Sequence, residues 1–219
     1  CCILDGTIRS TMKSRLLFAL FSGLFFGLAA QTTVSNPPAV TENRPPCSCY
    51  PGEYYANVQN AAVSDDQCVG AVLELRPDCQ NDSCFYTRYF YAHNFGFTIP
   101  LSASITGITF QVERSAGNPG IVADSVIRMV PMNWALVGNN YAVPITYGTS
   151  DSTVTYGGAT DLWGYPFSVS EVNSVDFGIA MIVKNNSTTI SPTACIDYMQ
   201  LTIDYSLATG ENFTVTSSP

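Results

Sequence analysis

Apolar residues recur at every second position in several segments of the chain, which is the pattern of half-buried β-strands. The alternating runs are Phe177, Ile179, Met181, Val183; Met199, Leu201, Ile203, Tyr205; and Ile108, Phe110, Val112. In such a run one face packs on a core and the other faces solvent. These runs predict long strands in the second half of the chain.

Shorter apolar segments predict further strands at residues 69–75, 85–91 and 125–130. The segment 85–91 has aromatic residues on both faces, so we expect a central strand or one that another subunit covers. Gly- and Asn-rich turns are predicted at residues 116–120, 138–140, 156–158 and 184–187, and a single helical turn at residues 170–173. This spacing predicts an all-β fold, a jelly-roll-like antiparallel β-sandwich.

The composition supports this fold class and argues against some classes of partner. Charged and aromatic residues each make up 12% of the chain, with 16 Gly and 13 Pro. That mixture is too apolar for a disordered chain and too rich in Gly and Pro for a helical bundle. The net charge of −8 argues against a nucleic-acid partner held through phosphate contacts.

The N-terminal residues predict export from the cell. After Met12 come basic Lys13 and Arg15, an apolar run over residues 16–28, and small Ala29 and Ala30. This order is typical of a secretory signal peptide, here residues 12–30. The apolar run is too short for a membrane anchor, because it would rise only about 20 Å as a helix against a hydrocarbon core of roughly 30 Å. We interpret residues 1–11 as translated from upstream of the start, and expect the mature protein outside the cell or on its surface.

Composition divides the rest of the chain into three parts. Residues 31–46 are rich in Pro, Thr and Asn and predict an extended N-terminal arm, because proline disfavours helices and central strands. Residues 47–206 predict one β-sandwich domain with a Cys-rich beginning. Residues 207–219 are mostly polar and predict a C-terminal tail.

Six cysteines follow the predicted signal peptide: Cys47, Cys49, Cys68, Cys79, Cys84 and Cys195. An even number of cysteines in an exported chain predicts disulfide bonds. If all six pair, one bond ties the N-terminal segment to the strand around Cys195, but 15 pairings are open. A zinc site is the alternative, and neither the C-x-C spacing nor the lone histidine favours it.

Four Asn-x-Ser/Thr sequences predict glycosylation sites in surface loops: Asn81, Asn185, Asn186 and Asn212. Because Asn185 and Asn186 are adjacent, we expect at most one of them to carry a glycan.

Candidates for chemistry are few, and we predict neither catalysis nor a cofactor or metal. His93 is the only histidine, and no Gly-x-Ser-x-Gly motif accompanies it. Six acidic residues could supply a glycosidase pair or a calcium site: Asp65, Asp66, Asp124, Asp161, Glu171 and Asp197. We expect Asp161 and Asp197 to cap turns or accept backbone hydrogen bonds instead. Trp134 and Trp163 could stack on sugars, although packing in a core or an interface is the favoured interpretation.

Several blocks in order carry a family resemblance. They are residues 60–66 (NAAVSDD), 93–100 (HNFGFTIP), 105–108 (ITGI) with 112–115 (VERS), 155–158 (TYGG) with 161–164 (DLWG), 176–180 (DFGIA), and 196–198 (IDY) leading into 201–205 (LTIDY). Over residues 55–205 the chain resembles a widespread, poorly characterised β-sandwich module of exported surface proteins, virion-associated proteins and extracellular, pilus-like fibril subunits. The resemblance implies a fold and a structural setting, and no catalytic motif.

Two functions follow as hypotheses. The first is a secreted structural protein that assembles with copies of itself into an extracellular filament, through head-to-tail contacts and with strand or arm exchange as one route. The alternative is a secreted carbohydrate-binding, lectin-like module, which needs an exposed aromatic platform.

Overall fold

The computed structural model describes residues 31–44, 52–75 and 85–207. Nine strands and one short helix lie in these ranges: β1 Gln31–Asn36, β2 Val40–Arg44, β3 Val69–Val72, β4 Tyr89–His93, β5 Ala103–Ala116, β6 Val122–Val130, β7 Ser152–Gly158, α1 Val169–Val172, β8 Gly178–Asn185 and β9 Thr193–Leu207. A turn of 3₁₀ helix spans Val58–Ala61. The predicted signal peptide, the residues before it and all but the first residue of the predicted tail lie outside the described residues.

The chain crosses from one sheet to the other at every successive strand. The odd-numbered strands form sheet A in the order β1-β9-β5-β7, with β3 also paired to β9, and the even-numbered strands form sheet B in the order β2-β4-β8-β6. Every neighbouring pair of strands is antiparallel. The predicted antiparallel β-sandwich is confirmed. Strand β4 is central in sheet B, which explains the aromatic residues on both of its faces.

The core lies between the two sheets and follows the predicted alternation. Met199, Leu201 and Ile203 of β9 are fully buried there, as are Ile108, Phe110 and Val112 of β5. Three β-bulges, at Thr106, Ser125 and Asp197, each add one residue to a strand and change which positions face the core. Ile105 and Ile108 are an odd number of residues apart, so in a regular strand they would face opposite sides. The extra residue at Thr106 brings both of them to the core side.

Two segments form strands where other structure was predicted. Residues 31–44, predicted as an extended arm, form β1 and β2 and lie at the edge of each sheet, on either side of Pro37 and Pro38. Edge positions suit this segment, because the prolines fall between the strands and remove no ladder hydrogen bond. Residues 156–158, predicted as a turn, form the end of β7.

A disulfide bond joins Cys68 to Cys195 across 127 residues of sequence. Cys68 immediately precedes β3, and Cys195 lies on β9 opposite Gly70 of β3. This bond is the connection from the Cys-rich segment to the strand around Cys195 that the sequence predicts. Cys47, Cys49, Cys79 and Cys84 lie outside the described residues.

Candidate functional site: two open sheet edges

Two edge strands of sheet A, β1 and β7, present unpaired backbone. Strand β3, which continues the β1 edge along β9, is bonded at Gly70 to the backbone of Ala56. In the part of the chain that the structure describes, no backbone hydrogen bond reaches the outer side of β1, and on β7 the only one is a turn bond, from the Asp161 N–H to the Gly158 carbonyl. Neither strand contains a charged residue or a proline. Natural edge strands are usually protected by such residues, by bulges or by covering segments. These two edges are therefore templates to which another strand can add.

The two edge strands of sheet B, β6 and β2, are protected within the same chain in two different ways. Along β6, the backbone N–H groups of Val137, Tyr141 and Tyr147 donate to the carbonyls of the strand at 2.8 to 3.0 Å. Along β2, no loop backbone pairs with the strand among the described residues, but the strand carries the charged residues Glu42 and Arg44. The side-chain amide of Asn43 also accepts from and donates to the backbone of Tyr55, at 2.8 and 2.7 Å. Strands β1 and β7 thus differ from β2 and β6 in having neither charged residues nor a pairing segment on their outer sides.

The order of strands makes these two edges complementary. Because β1, β9, β5 and β7 are antiparallel in turn, β1 and β7 run in opposite directions. A second molecule in the same orientation would therefore present its β1 antiparallel to β7 of the first. The two strands are matched in length, at six and seven residues. Subunits that add side by side in the same orientation would thus extend sheet A, and the new strand pair would be antiparallel like the others in the sheet.

Side chains hold β1 in place on β9. The hydroxyl of Thr33 donates to the carboxylate of Asp204 at 2.6 Å, and the hydroxyls of Ser35 and Thr202 lie 2.7 Å apart. The residues of β1 that face away from the core are exposed, whereas Val34 packs on the core. The edge is thus a well-anchored strand with a polar outer face.

The end of β7 is fixed by Trp163. The indole N–H of Trp163 donates to the carbonyl of Ile108 on the neighbouring strand, at 2.8 Å. Gly157 lies against this contact with φ of 72°, and a Cβ there would lie 2.2 Å from the Ile108 oxygen. Only glycine fits that position without displacing the strand.

A buried polar cluster joins the two sheets behind the open edges. Arg114 of β5 forms an ion pair with Asp124 of β6, and both residues are at most 3% exposed. Asp124 also accepts from the hydroxyls of Tyr147 and Tyr156, at 2.6 and 2.5 Å. The bulge at Ser125 places Asp124 on the core side of β6. Burial, followed by the charge of Asp124, raises the pKa of Tyr147 well above its usual range, so its hydroxyl stays protonated as a donor.

The outer face of sheet B carries an aromatic patch, formed by Tyr89, Tyr91, His93 and Trp134. Trp134 is half-buried and contacts His93 and Tyr91 edge-on, at ring-centroid distances of 4.8 and 5.6 Å. The guanidinium of Arg44 lies over its ring, 3.4 Å from the centroid. One face of the ring is thus occupied within the chain. The other tryptophan, Trp163, is fully buried in the core, as the packing interpretation predicts.

Most of the candidate carboxylates have structural roles. Asp161 accepts from the backbone N–H of Trp163 at 2.7 Å, as predicted, and Glu171 forms a capping box with Ser168 at the start of α1. Asp65 accepts from the backbone of Gln67 in a turn. His93 approaches Glu42 and the carbonyl of Val175, at 3.4 and 3.1 Å.

Asp197 is the exception, because its buried carboxylate makes no hydrogen bond of normal length and angle within the described residues. It is the extra residue of the β9 bulge and 1% exposed, and neither carboxylate oxygen has a hydrogen-bond partner among the described residues. Burial raises the pKa of Asp197; the nearby backbone N–H of Asp66 lowers it, and the charges of Glu113, Asp151 and Asp65 raise it. A local sequence pattern gives no sign of a bulge, so this burial was not foreseeable.

We expect Asp197→Asn to stabilise the protein at neutral pH, by about 1 kcal/mol and hence a few degrees in Tm. A carboxyl group whose pKa is raised on folding costs stability above its unfolded value of about 3.9, and the cost vanishes at lower pH. Thermal unfolding should therefore show a higher Tm for the variant than for the unmodified chain at pH 7, and no difference in Tm below pH 4. Asp176→Asn, which removes a partly exposed carboxylate that is not among the charges acting on Asp197, is the matched control, with little change expected. A gain that does not vary with pH would contradict this assignment.

The structure separates two of the four predicted glycosylation sites. Asn185 is buried at the end of β8, whereas Asn186 is exposed in the following turn. Asn81 and Asn212 lie outside the described residues.

No group of three His, Cys, Asp or Glu side chains in residues 31–44, 52–75 and 85–207 could hold a metal ion. Within the same ranges, no helix combines the length and apolar character needed to cross a bilayer. The chain matches no known protein family, and no curated protein matches it either. The resemblance to surface and fibril modules therefore stays a prediction from the sequence.

Proposed function

We propose that this protein is the structural subunit of an extracellular filament, in which β7 of one molecule pairs with β1 of the next. The observation that carries the proposal is that β1 and β7 are uncharged and have open outer sides, whereas in sheet B a loop pairs with the edge of β6 and β2 carries the charged residues Glu42 and Arg44. A contact between two different edges is heterologous, and such contacts build filaments when the rotation between subunits does not close a ring.

Three further features support this role. The opposite directions of β1 and β7 allow every subunit to add in the same orientation. The Cys68–Cys195 bond strengthens a sheet that would transmit load along the filament. The predicted export signal and the resemblance to fibril modules agree with an extracellular location. Neighbouring molecules could also exchange their β1 strands. The Asp204 carboxylate, which accepts from Thr33 of its own chain, would then accept from Thr33 of the neighbour.

Charges placed on the two edges should control assembly. Ser35 on β1 and Thr153 and Thr155 on β7 are exposed on the outer face of sheet A. We expect a variant with lysine at all three positions to form filaments about tenfold less readily at low salt, because like charges across a strand pair repel by roughly 1 kcal/mol. Sedimentation and electron microscopy measure the assembled fraction.

The matched control carries the same two lysines on β7 and Ser35→Glu on β1. Opposite charges then face each other, so this variant should assemble at least as well as the unmodified chain. High salt should weaken both effects. Unchanged circular dichroism and Tm would show that both variants fold. Equal assembly of the two variants would contradict pairing between β1 and β7.

The carbohydrate-binding alternative has less support. Trp163 is unavailable to a sugar because it lies in the core, and Arg44 covers one face of Trp134. The aromatic patch on sheet B is held together by contacts within the chain and needs no ligand to account for it.

A further inference from the structure

Two glycosylation sequences overlap where β8 ends. Asn185 pairs with Ser187 and Asn186 pairs with Thr188 in the Asn-x-Ser/Thr pattern. The sequence alone does not choose between them, because both satisfy the same rule. The structure gives the two asparagines opposite environments.

Asn185 is part of the folded turn. Its side chain is 4% exposed, and its Nδ2 donates to the carbonyl of Ile190 at 2.8 Å while its Oδ1 accepts from the backbone N–H of Ser187 at 2.8 Å. A sugar on Nδ2 would have to fit into packed protein and would disturb both contacts. Glycosylation at Asn185 is therefore incompatible with this fold.

Asn186 has the environment that a glycan requires. Its backbone N–H donates to the carbonyl of Ile121 at 2.7 Å, which fixes the turn, while its side chain is exposed. Beside it lies an open cavity of about 210 Å³ lined by Phe85, Tyr86 and Lys184. The lining of this cavity is mostly polar, so it leaves room for the first sugar and offers hydrogen-bond partners for its hydroxyls.

We propose that Asn186 carries an N-linked glycan and that Asn185 does not. In the transfer, Nδ2 of Asn186 loses one proton and bonds to the anomeric carbon of a lipid-linked oligosaccharide. The bond from that carbon to the pyrophosphate oxygen breaks, and the lipid pyrophosphate leaves. The glycan lies on the connection from β8 to β9, which belongs to neither of the two strands that form the proposed assembly contact. The assignment rests on the export signal and is independent of filament formation.

The two sequences can be removed one at a time without changing either asparagine. Ser187→Ala removes only the Asn185 site, and Thr188→Ala removes only the Asn186 site. The full chain and both variants would be secreted from a eukaryotic cell line. Peptide mass spectrometry would then locate asparagines converted to aspartate by enzymatic release of the glycans.

We expect conversion at Asn186 in the unmodified chain and in Ser187→Ala. In Thr188→Ala we expect the glycan to be lost at this turn, with no glycan at Asn185 of the secreted protein. An unoccupied Asn186 in the secreted, folded chain would overturn the proposal, as would a glycan on Asn185. Thermal unfolding checks the folding of Ser187→Ala, because the Ser187 hydroxyl accepts from the backbone of Thr189 and Ile190.

Discussion

Replacing Asp124 with asparagine is expected to lower the free energy of unfolding by about 3 to 5 kcal/mol. The substitution leaves the Arg114 guanidinium buried at 2% exposure without its counter-charge. It also weakens the hydrogen bonds that Asp124 accepts from Tyr147 and Tyr156. Because Arg114 lies in sheet A and Asp124 in sheet B, the loss falls on the contact between the sheets. Urea unfolding followed by circular dichroism measures it.

A variant that removes the whole cluster is the control. Arg114→Met, Asp124→Leu, Tyr147→Phe and Tyr156→Phe together leave no buried charge or unpaired hydroxyl, and such replacements are often close to neutral. We therefore expect it to be more stable than Asp124→Asn alone. Equal destabilisation by both variants would show that lost packing, and not the unpaired charge, dominates. A single Asp124→Asn variant within 1 kcal/mol of the unmodified chain would contradict the buried ion pair.

Removing the disulfide bond should have a comparable effect. In the chain-entropy model, opening a loop of 127 residues costs about 5 kcal/mol of stability, because the unfolded chain gains freedom. For a domain of this size we expect Cys68→Ala with Cys195→Ala to lower Tm by roughly 10 to 20 °C. Differential scanning calorimetry under non-reducing conditions measures this change.

Reduction provides the comparison for this variant. A reducing agent should lower the Tm of the unmodified chain at least as far as the double substitution does. Any further effect of the agent on the double variant reports bonds among the other cysteines. A Tm within 2 °C of the unmodified chain would contradict a Cys68–Cys195 bond in the folded protein.

The core strands were predictable because their alternation is local information. On β9, the apolar residues Met199, Leu201 and Ile203 alternate and burial follows that pattern. Strand β8 departs from the predicted alternation, because it is central in sheet B and is buried at every position from Gly178 to Val183. The bulges were not predictable, because an added residue at Thr106 or Asp197 is visible only in the register against the neighbouring strand. The buried position of Asp124 depends in the same way on the bulge at Ser125.

The open edges could not be predicted for a related reason. Whether a strand edge is covered depends on segments outside the strand, such as the loop at Tyr147, whose backbone N–H donates to Val122 of β6. Strands β1 and β7 were also not predicted as strands, because β1 is polar and β7 ends in two glycines, and both features are typical of loops. The sequence therefore indicated a sandwich and an assembly role, but not the surfaces that would carry it.

Electron cryomicroscopy of the secreted, unmodified chain tests the central claim most directly. We expect filaments in which sheet A runs continuously from subunit to subunit, with β7 of each molecule antiparallel to β1 of the next. Filaments joined through another surface would contradict the proposed edge pairing. A stable monomer at every concentration, confirmed by size-exclusion chromatography, would contradict the filament itself.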